Sequence, residues 1–126
     1  MRRGDLVTVA LRGDAGKPRP ALVVQADELF GSLPTIVVLP LTSALADLPL
    51  TRVNMEPTEA NGLRASSQVM VSRPQSCSRE QVGAVIGQAD ASIMLEVGRK
   101  LALLLCLASG REARAGRRAL RAGGQK

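Results

Sequence analysis

Histidine, tryptophan and tyrosine are absent from this 126-residue chain, Phe30 is its one aromatic residue, and cysteine occurs twice, as Cys77 and Cys106. Each scarcity removes a class of chemistry. Without histidine there is no imidazole pair to shuttle protons and no ligand for most zinc sites, so proton transfer falls to arginine, hydroxyls or carboxylates. With a single ring, the chain cannot stack successive bases on aromatic platforms, each worth about 1–3 kcal/mol in single-strand binders. Any nucleic acid is held by guanidinium groups, backbone donors and shape. Two cysteines without a CxxC spacing are too few for a disulfide framework and read as reduced thiols, Cys77 in a loop and Cys106 in the core. Long apolar runs are missing as well: the most apolar window, 101–108, is eight residues where a membrane span needs roughly 20. The opening Met1-Arg2-Arg3-Gly4-Asp5 runs into a carboxylate rather than an apolar signal region. The expectation is a soluble, cytoplasmic protein with no membrane association.

The net charge is +6, and its distribution says more than its total. Residues 1–108 carry eleven basic and ten acidic side chains, whereas residues 109–126 carry six basic groups against Glu112 alone. The high isoelectric point belongs to the tail. With several glycines and little to bury, 109–126 reads as a basic, disordered extension or as an arm for nucleic acid or a partner. Residues 1–108 are long enough for one core and form one expected domain.

Apolar residues within that domain come from Ala, Val, Leu and Ile in short runs. Residues 6–11 read as a first strand, 12–18 as a loop with two glycines and a proline, and 21–25 as a second strand covered on both faces. Pro20 fits only a strand start or edge. A helical turn is expected over 27–31 and a third strand over 35–39, with Pro40 marking a bulge or edge before Thr42-Ser43. Residues 50–55 alternate and should be half exposed. Strands over 67–71 and 83–87 follow. From Asp90 the period changes: Ile93, Val97, Leu101, Leu104 and Leu105 share a helical face, and Asp90 suits the N-cap. Strands followed by one amphipathic helix describe a mainly β fold, a small bent sheet or barrel with a C-terminal helix against it.

Four segments in this order resemble the MazF/PemK (Kid) toxins of bacterial toxin-antitoxin systems. Arg3-Gly4-Asp5-Leu6-Val7-Thr8-Val9 is similar to that family's opening strand. Gly16-Lys17-Pro18-Arg19-Pro20-Ala21-Leu22-Val23-Val24 resembles its "GxxRPxxVx" segment, and Val37-Val38-Leu39-Pro40-Leu41-Thr42-Ser43 its "VxPxTS" segment. Asn61-Gly62-Leu63 with Ser67-Gln68-Val69 resembles its later "GL…S-x-V" region. The likeness spans about residues 2–107. Ser72-Arg73 stands where many members carry an acid, a departure that bears on base preference rather than on fold.

The resemblance implies an SH3-like barrel of the CcdB/MazF/Kid type, a homodimer blocked by a cognate antitoxin protein, and sequence-selective, metal-independent cleavage of single-stranded RNA with no cofactor. In that reaction the ribose 2′-hydroxyl attacks the adjacent phosphorus and leaves a 2′,3′-cyclic phosphate and a 5′-hydroxyl. It requires a proton acceptor, a cation for the developing charge and a donor for the departing oxygen. Carried over from the family, Arg19 is the cation, because its fork holds two phosphate oxygens at once. Thr42 is the hydroxyl donor to the same phosphate. Asp14, five residues before Arg19, is a secondary candidate to assist proton abstraction, since a free guanidinium with a pKa above about 12 is a poor base. Arg12, Lys17, Ser43, Arg52 and Arg73 are candidate RNA contacts.

Read without the resemblance, an arginine beside a proline at a strand start is an ordinary structural or solvated residue, Thr42 a turn former and Ser43 a cap for the following turn. Two other functions therefore stay open at this point. One is a non-enzymatic gyrase inhibitor like the CcdB toxins, which the lack of a Trp-Gly-Ile ending disfavours: this chain ends Gly123-Gly124-Gln125-Lys126. The other is an inactive binding module on the same fold.

Overall fold

A computed structural model describes residues 1–10 and 17–107. Seven strands, β1 (Asp5–Val9), β2 (Arg19–Val23), β3 (Thr35–Thr42), β4 (Arg52–Met55), β5 (Ser67–Met70), β6 (Gln75–Ser78) and β7 (Val82–Gln88), precede one helix, α1 (Ala91–Leu104). Every ladder is antiparallel, in the order β4-β5-β3-β2-β1-β7, with β6 also on β3. A mainly β fold with a C-terminal helix is what the apolar pattern predicts.

The continuous apolar runs explain the core. Consecutive side chains of a strand point to opposite faces, so β1 to β3 each feed two clusters. Leu6, Leu22, Leu39 and Leu41 enter one, which Val53, Val69 and the helical Val97 complete. Val7, Val9, Ala21, Val23, Ile36 and Val38 enter the other, with Cys77. Both faces of these three strands are buried. Fully burying each Val, Leu or Ile contributes about 1.5–3 kcal/mol.

β3 is the strand around which the sheet turns. On one side it pairs with β2, at Ala21↔Pro40, Leu22↔Leu39 and Val23↔Val38. On the other it pairs first with β6, through Val38↔Gln75, and then with β5, from Leu41↔Val69. Pro40 therefore lies inside the strand, not at a bulge or end. It sits in the gap where one partner gives way to the next, so its missing N–H costs no ladder bond on that side. Pro20 is tolerated for a similar reason: the β2–β3 ladder covers only positions 21–23, leaving 20 unpaired on that side.

The outer strands are joined by a loop rather than a ladder. Gln88 N donates to Ala60 O at 2.9 Å. Asn61, 4% exposed, shapes that loop, accepting from the Thr58 and Leu63 amides at 2.9 Å each and donating to Glu56 O at 2.8 Å. Contact is close enough to demand glycine on both sides: a Cβ on Gly62 (φ +70°) would lie 2.1 Å from Ile86 O, and one on Gly87 2.4 Å from Ala60 O.

Asp90 caps α1 as expected, accepting from Ile93 N at 2.9 Å. Of the expected inward face, Val97 is buried and Ile93 and Leu101 half-buried, but Leu104 and Leu105 are 43% and 54% exposed. The cysteines exchange their expected environments. Cys77 is buried in β6, which alternation misses because Cys77 is its one apolar residue. Cys106 is exposed with φ 60°. It occupies the left-handed position that closes the helix, with Cys106 N on Leu103 O at 3.1 Å and Leu107 N on Ala102 O at 2.7 Å, the two bonds of a Schellman motif. The tail 109–126 lies outside the described residues. Among those that are described, no helix is long and apolar enough to cross a membrane.

Candidate active site

Because β2 and β3 run antiparallel, the end of β3 lies beside the beginning of β2. The β2–β3 ladder ends at Ala21↔Pro40, so Arg19, two residues before Ala21, and Thr42, two residues after Pro40, lie at the same end of the two strands. Both line one groove of about 850 Å³. Its polar wall is Arg19, Thr42, Ser43, Arg64, Arg73 and Gln75; Leu41, Leu63, Met70 and Ile86 give it apolar surface. Among the described residues, no carboxylate, cysteine or aromatic ring belongs to that lining. The groove is a donor-rich, cationic recess with aliphatic walls, suited to an anion carrying flat apolar groups.

Thr42 is half-buried, and its Oγ1 accepts a hydrogen bond from Ala44 N at 3.0 Å. It is thus the turn former of its simplest reading. Accepting through oxygen also leaves its own O–H to donate elsewhere, so the turn orients the hydroxyl rather than consuming it. The cap expected of Ser43 falls to Thr42, and Ser43 is exposed on the groove.

The remaining candidates divide. Arg73 lines the groove from the turn between β5 and β6, where Arg73 N bonds Met70 O at 3.1 Å. Lys17 is exposed two residues before Arg19 and is not part of the lining. Arg52 is half-buried and turned to the scaffold: its Nη1 donates to Gln68 Oε1 at 2.7 Å and to Ala44 O at 3.2 Å. Arg12 and Asp14 lie outside the described residues. Sequence reasoning missed Arg64 and Gln75 as groove residues. Arg64 directly follows Asn61-Gly62-Leu63, which was a signal for it; Gln75 opens the polar strand β6, which carries none. Among the described residues no three His, Cys, Asp or Glu side chains gather to hold a metal ion.

A small bent antiparallel sheet with a terminal helix, bearing an arginine and a threonine on one cationic groove, defines a class of compact anion-binding domains. Comparison with known proteins narrows the class. A family model described as PemK-like, MazF-like toxin of type II toxin-antitoxin system matches residues 2–105. The chain belongs to that family. It is 37% identical over 109 residues to a protein named "Probable endoribonuclease MazF" from Mycolicibacterium smegmatis, covering 86% of this chain and 99% of that one. Among solved structures, toxin MazF-mt6 of Mycobacterium tuberculosis superposes with a TM-score of 0.71 at 22% identity, covering 83% of this chain and 99% of that one. MazF in a MazE-MazF structure from Deinococcus radiodurans superposes with a TM-score of 0.69 at 25% identity, covering 86% and 97%.

Proposed function

We propose that the chain is the toxin of a toxin-antitoxin pair and acts as a sequence-specific endoribonuclease on single-stranded RNA. The observation that carries this reading is the shared placement of Arg19 and Thr42 on one groove, at the same end of neighbouring strands. The scissile phosphate sits between them. The guanidinium of Arg19 takes two nonbridging oxygens and offsets charge that grows as the 2′-oxygen bonds to phosphorus. The Thr42 hydroxyl donates to the same phosphate. As the P–O5′ bond breaks, the 2′,3′-cyclic phosphate forms, and the 5′-oxygen takes up a proton to leave as a hydroxyl.

The described residues of the groove lining supply no carboxylate; Asp14, five residues before Arg19 in the sequence, is our candidate for the acceptor of the 2′-proton. Bases flanking the phosphate lie on the aliphatic wall formed by Leu41, Leu63, Met70 and Ile86, which takes the part that aromatic platforms play in other single-strand binders. Ser43, Arg64 and Arg73 contact the RNA within the groove, Lys17 extends its path outside, Arg12 is a further candidate contact, and Arg52 serves the scaffold. The reaction uses no metal and no cofactor.

The toxin domain is 1–108, a boundary supported by the family match ending at residue 105, with 109–126 a separate basic segment. The partners are a cognate antitoxin, as in the MazE-MazF structure from Deinococcus radiodurans, and a second copy of the chain. The outer face of α1 fits the latter: Met94, Leu95, Gly98, Ala102 and Leu103 line a shallow, mostly apolar trough together with Arg3 and Arg99. The two thiols of the described residues are unpaired, in keeping with a cytoplasmic location.

The test is cleavage of a long RNA in EDTA with the ends mapped. Wild-type protein yields recurrent sites with 2′,3′-cyclic phosphate and 5′-hydroxyl ends. Arg19→Ala abolishes them, with thermal unfolding and dimerisation unchanged. Retained cleavage by that variant removes Arg19 from the reaction; binding without cleavage by the wild type makes the chain a binding module.

A further inference from the structure

Residues 43–51 after β3 belong to no strand or helix, and backbone bonds hold only their end, with Leu48 O accepting from Thr51 N and Arg52 N, so the backbone of 44–46 takes its partners from side chains. Gln68 supplies those of Ala46. Its side chain is 6% exposed and stands across the β3–β5 ladder from Thr42 and across the β4–β5 ladder from Asn54. Its Oε1 accepts from Ala46 N at 3.0 Å and from Arg52 Nη1 at 2.7 Å. Its Nε2 donates to Ala46 O at 3.0 Å and to Asn54 Oδ1 at 2.9 Å. Two accepted and two donated bonds exhaust both N–H groups and give the carbonyl two partners, and the arrangement works in one amide orientation only.

Gln68 therefore grips both backbone groups of Ala46 as a strand partner would. Ala44 is held on both sides too, its N–H by Thr42 Oγ1 at 3.0 Å and its carbonyl by Arg52 at 3.2 Å. The amide that sets the rotation of the Thr42 hydroxyl is thus anchored through Arg52 and Ala46 to one buried glutamine.

We propose that Gln68 is the positioning residue of this active site, with Arg52 as its second strut: it touches no substrate and acts by fixing the 44–46 segment that aims the Thr42 hydroxyl at the phosphate. This rests on the reading of Thr42 as the phosphate donor. Removing Gln68 frees Ala44 N to drift, and the hydroxyl can then spend its proton on solvent or backbone. Binding of RNA, which depends on the whole groove, is affected less than turnover.

Single-turnover cleavage of an RNA oligonucleotide holding one mapped site, with affinity measured on its 2′-deoxy analogue, tests the assignment. Gln68→Leu is expected to slow cleavage about 10–100-fold, with affinity for the analogue changed less than threefold. Gln68→Glu keeps the shape and the acceptors but places an oxygen against Ala46 O, and gives an intermediate loss; it serves if Gln68→Leu does not fold. Ile36→Val, a core truncation distant from this network, separates lowered stability from lost aim: it lowers Tm and leaves the rate within twofold. Hydrogen exchange at the Ala44 and Ala46 amides rises in the Gln68 variants and not in Ile36→Val.

In a Thr42→Ala background the Gln68 substitution adds less than threefold, because there is no hydroxyl left to aim, while in an Arg19→Lys background its full effect remains. A Gln68 variant with wild-type cleavage, or with the same loss in both backgrounds, overturns the proposal. Wild-type cleavage by Thr42→Ala alone overturns the reading of Thr42 beneath it, and the single variants separate the two failures.

Discussion

At the scale of single residues, the candidate site positions and the two thiols show how context redirects a side chain. Arg19 begins a strand, and Thr42 ends one while closing a turn through its own oxygen. Each carries the bland structural role that its residue type predicts, and each also lines the groove. Cys77 is pressed into the core between β3 and β6, with Sγ 3.5 Å from Ile36 O, and burial pushes its thiol pKa up. Cys106 is exposed beyond the helix. Thiol titration of the native protein is expected to count one fast-reacting group, removed by Cys106→Ser, and two in denaturant. Two fast groups in the native state would mean that the β3–β6 pairing opens readily.

Elements show what was legible and what was not. β1 to β5 and β7 were readable as strands because their apolar residues fall in runs of the right length, and the interior position of Pro40 was not, because it depends on which neighbour lies beside β3 at that point. β6 was invisible: a strand reading Gln75-Ser76-Cys77-Ser78 has no apolar period and forms because β3 offers it an open edge. The helix was clear from its period and from Asp90. That carboxylate accepts from Ile93 N, and this backbone bond first, then the Ser92 hydroxyl, holds its pKa below the ordinary 3.8. A pKa lowered by folding stabilises the native state above the unfolded value, and the contribution is lost as pH falls through the folded one. Asp90→Ala should therefore lower Tm at pH 7, and the difference from wild type should shrink as pH falls below about 4, where the unfolded state protonates first and the folded one follows; a gap that stays unchanged throughout acidification would rule out the carboxylate's charge as the cause.

For the molecule as a whole, closure and partnership are the issues. The sheet has no ladder between β4 and β7; the Asn61-Gly62 loop joins them by pressing its backbone on Ile86 and Gly87. The same loop leads into Leu63 and Arg64 on the groove, so closing the sheet and completing the site are one event. The helix leaves Leu95 and Leu103 57% and 41% exposed on the trough they line, and exposed apolar patches of this kind mark interaction surfaces. On the reading proposed above, a second copy covers it in a dimer. Leu95→Glu with Leu103→Glu should shift sedimentation from dimer to monomer without loss of the far-ultraviolet signature of the fold, and a dimer surviving both changes would place the interface elsewhere.

The sequence alone determined the class of fold, since strand-length apolar runs followed by one 3.6-residue period admit few architectures, and it excluded imidazole chemistry and base stacking by composition. It also offered Arg19 and Thr42 as candidates, though no local pattern says that residues 23 positions apart share a groove. Only tertiary pairing decided that, because the β2–β3 register is set by which apolar side chains meet in the core. The same pairing turned Arg52 inward to Gln68 and brought Arg64 and Gln75 to the wall: a side chain's neighbours across a sheet depend on strand order, which is a property of the folded chain.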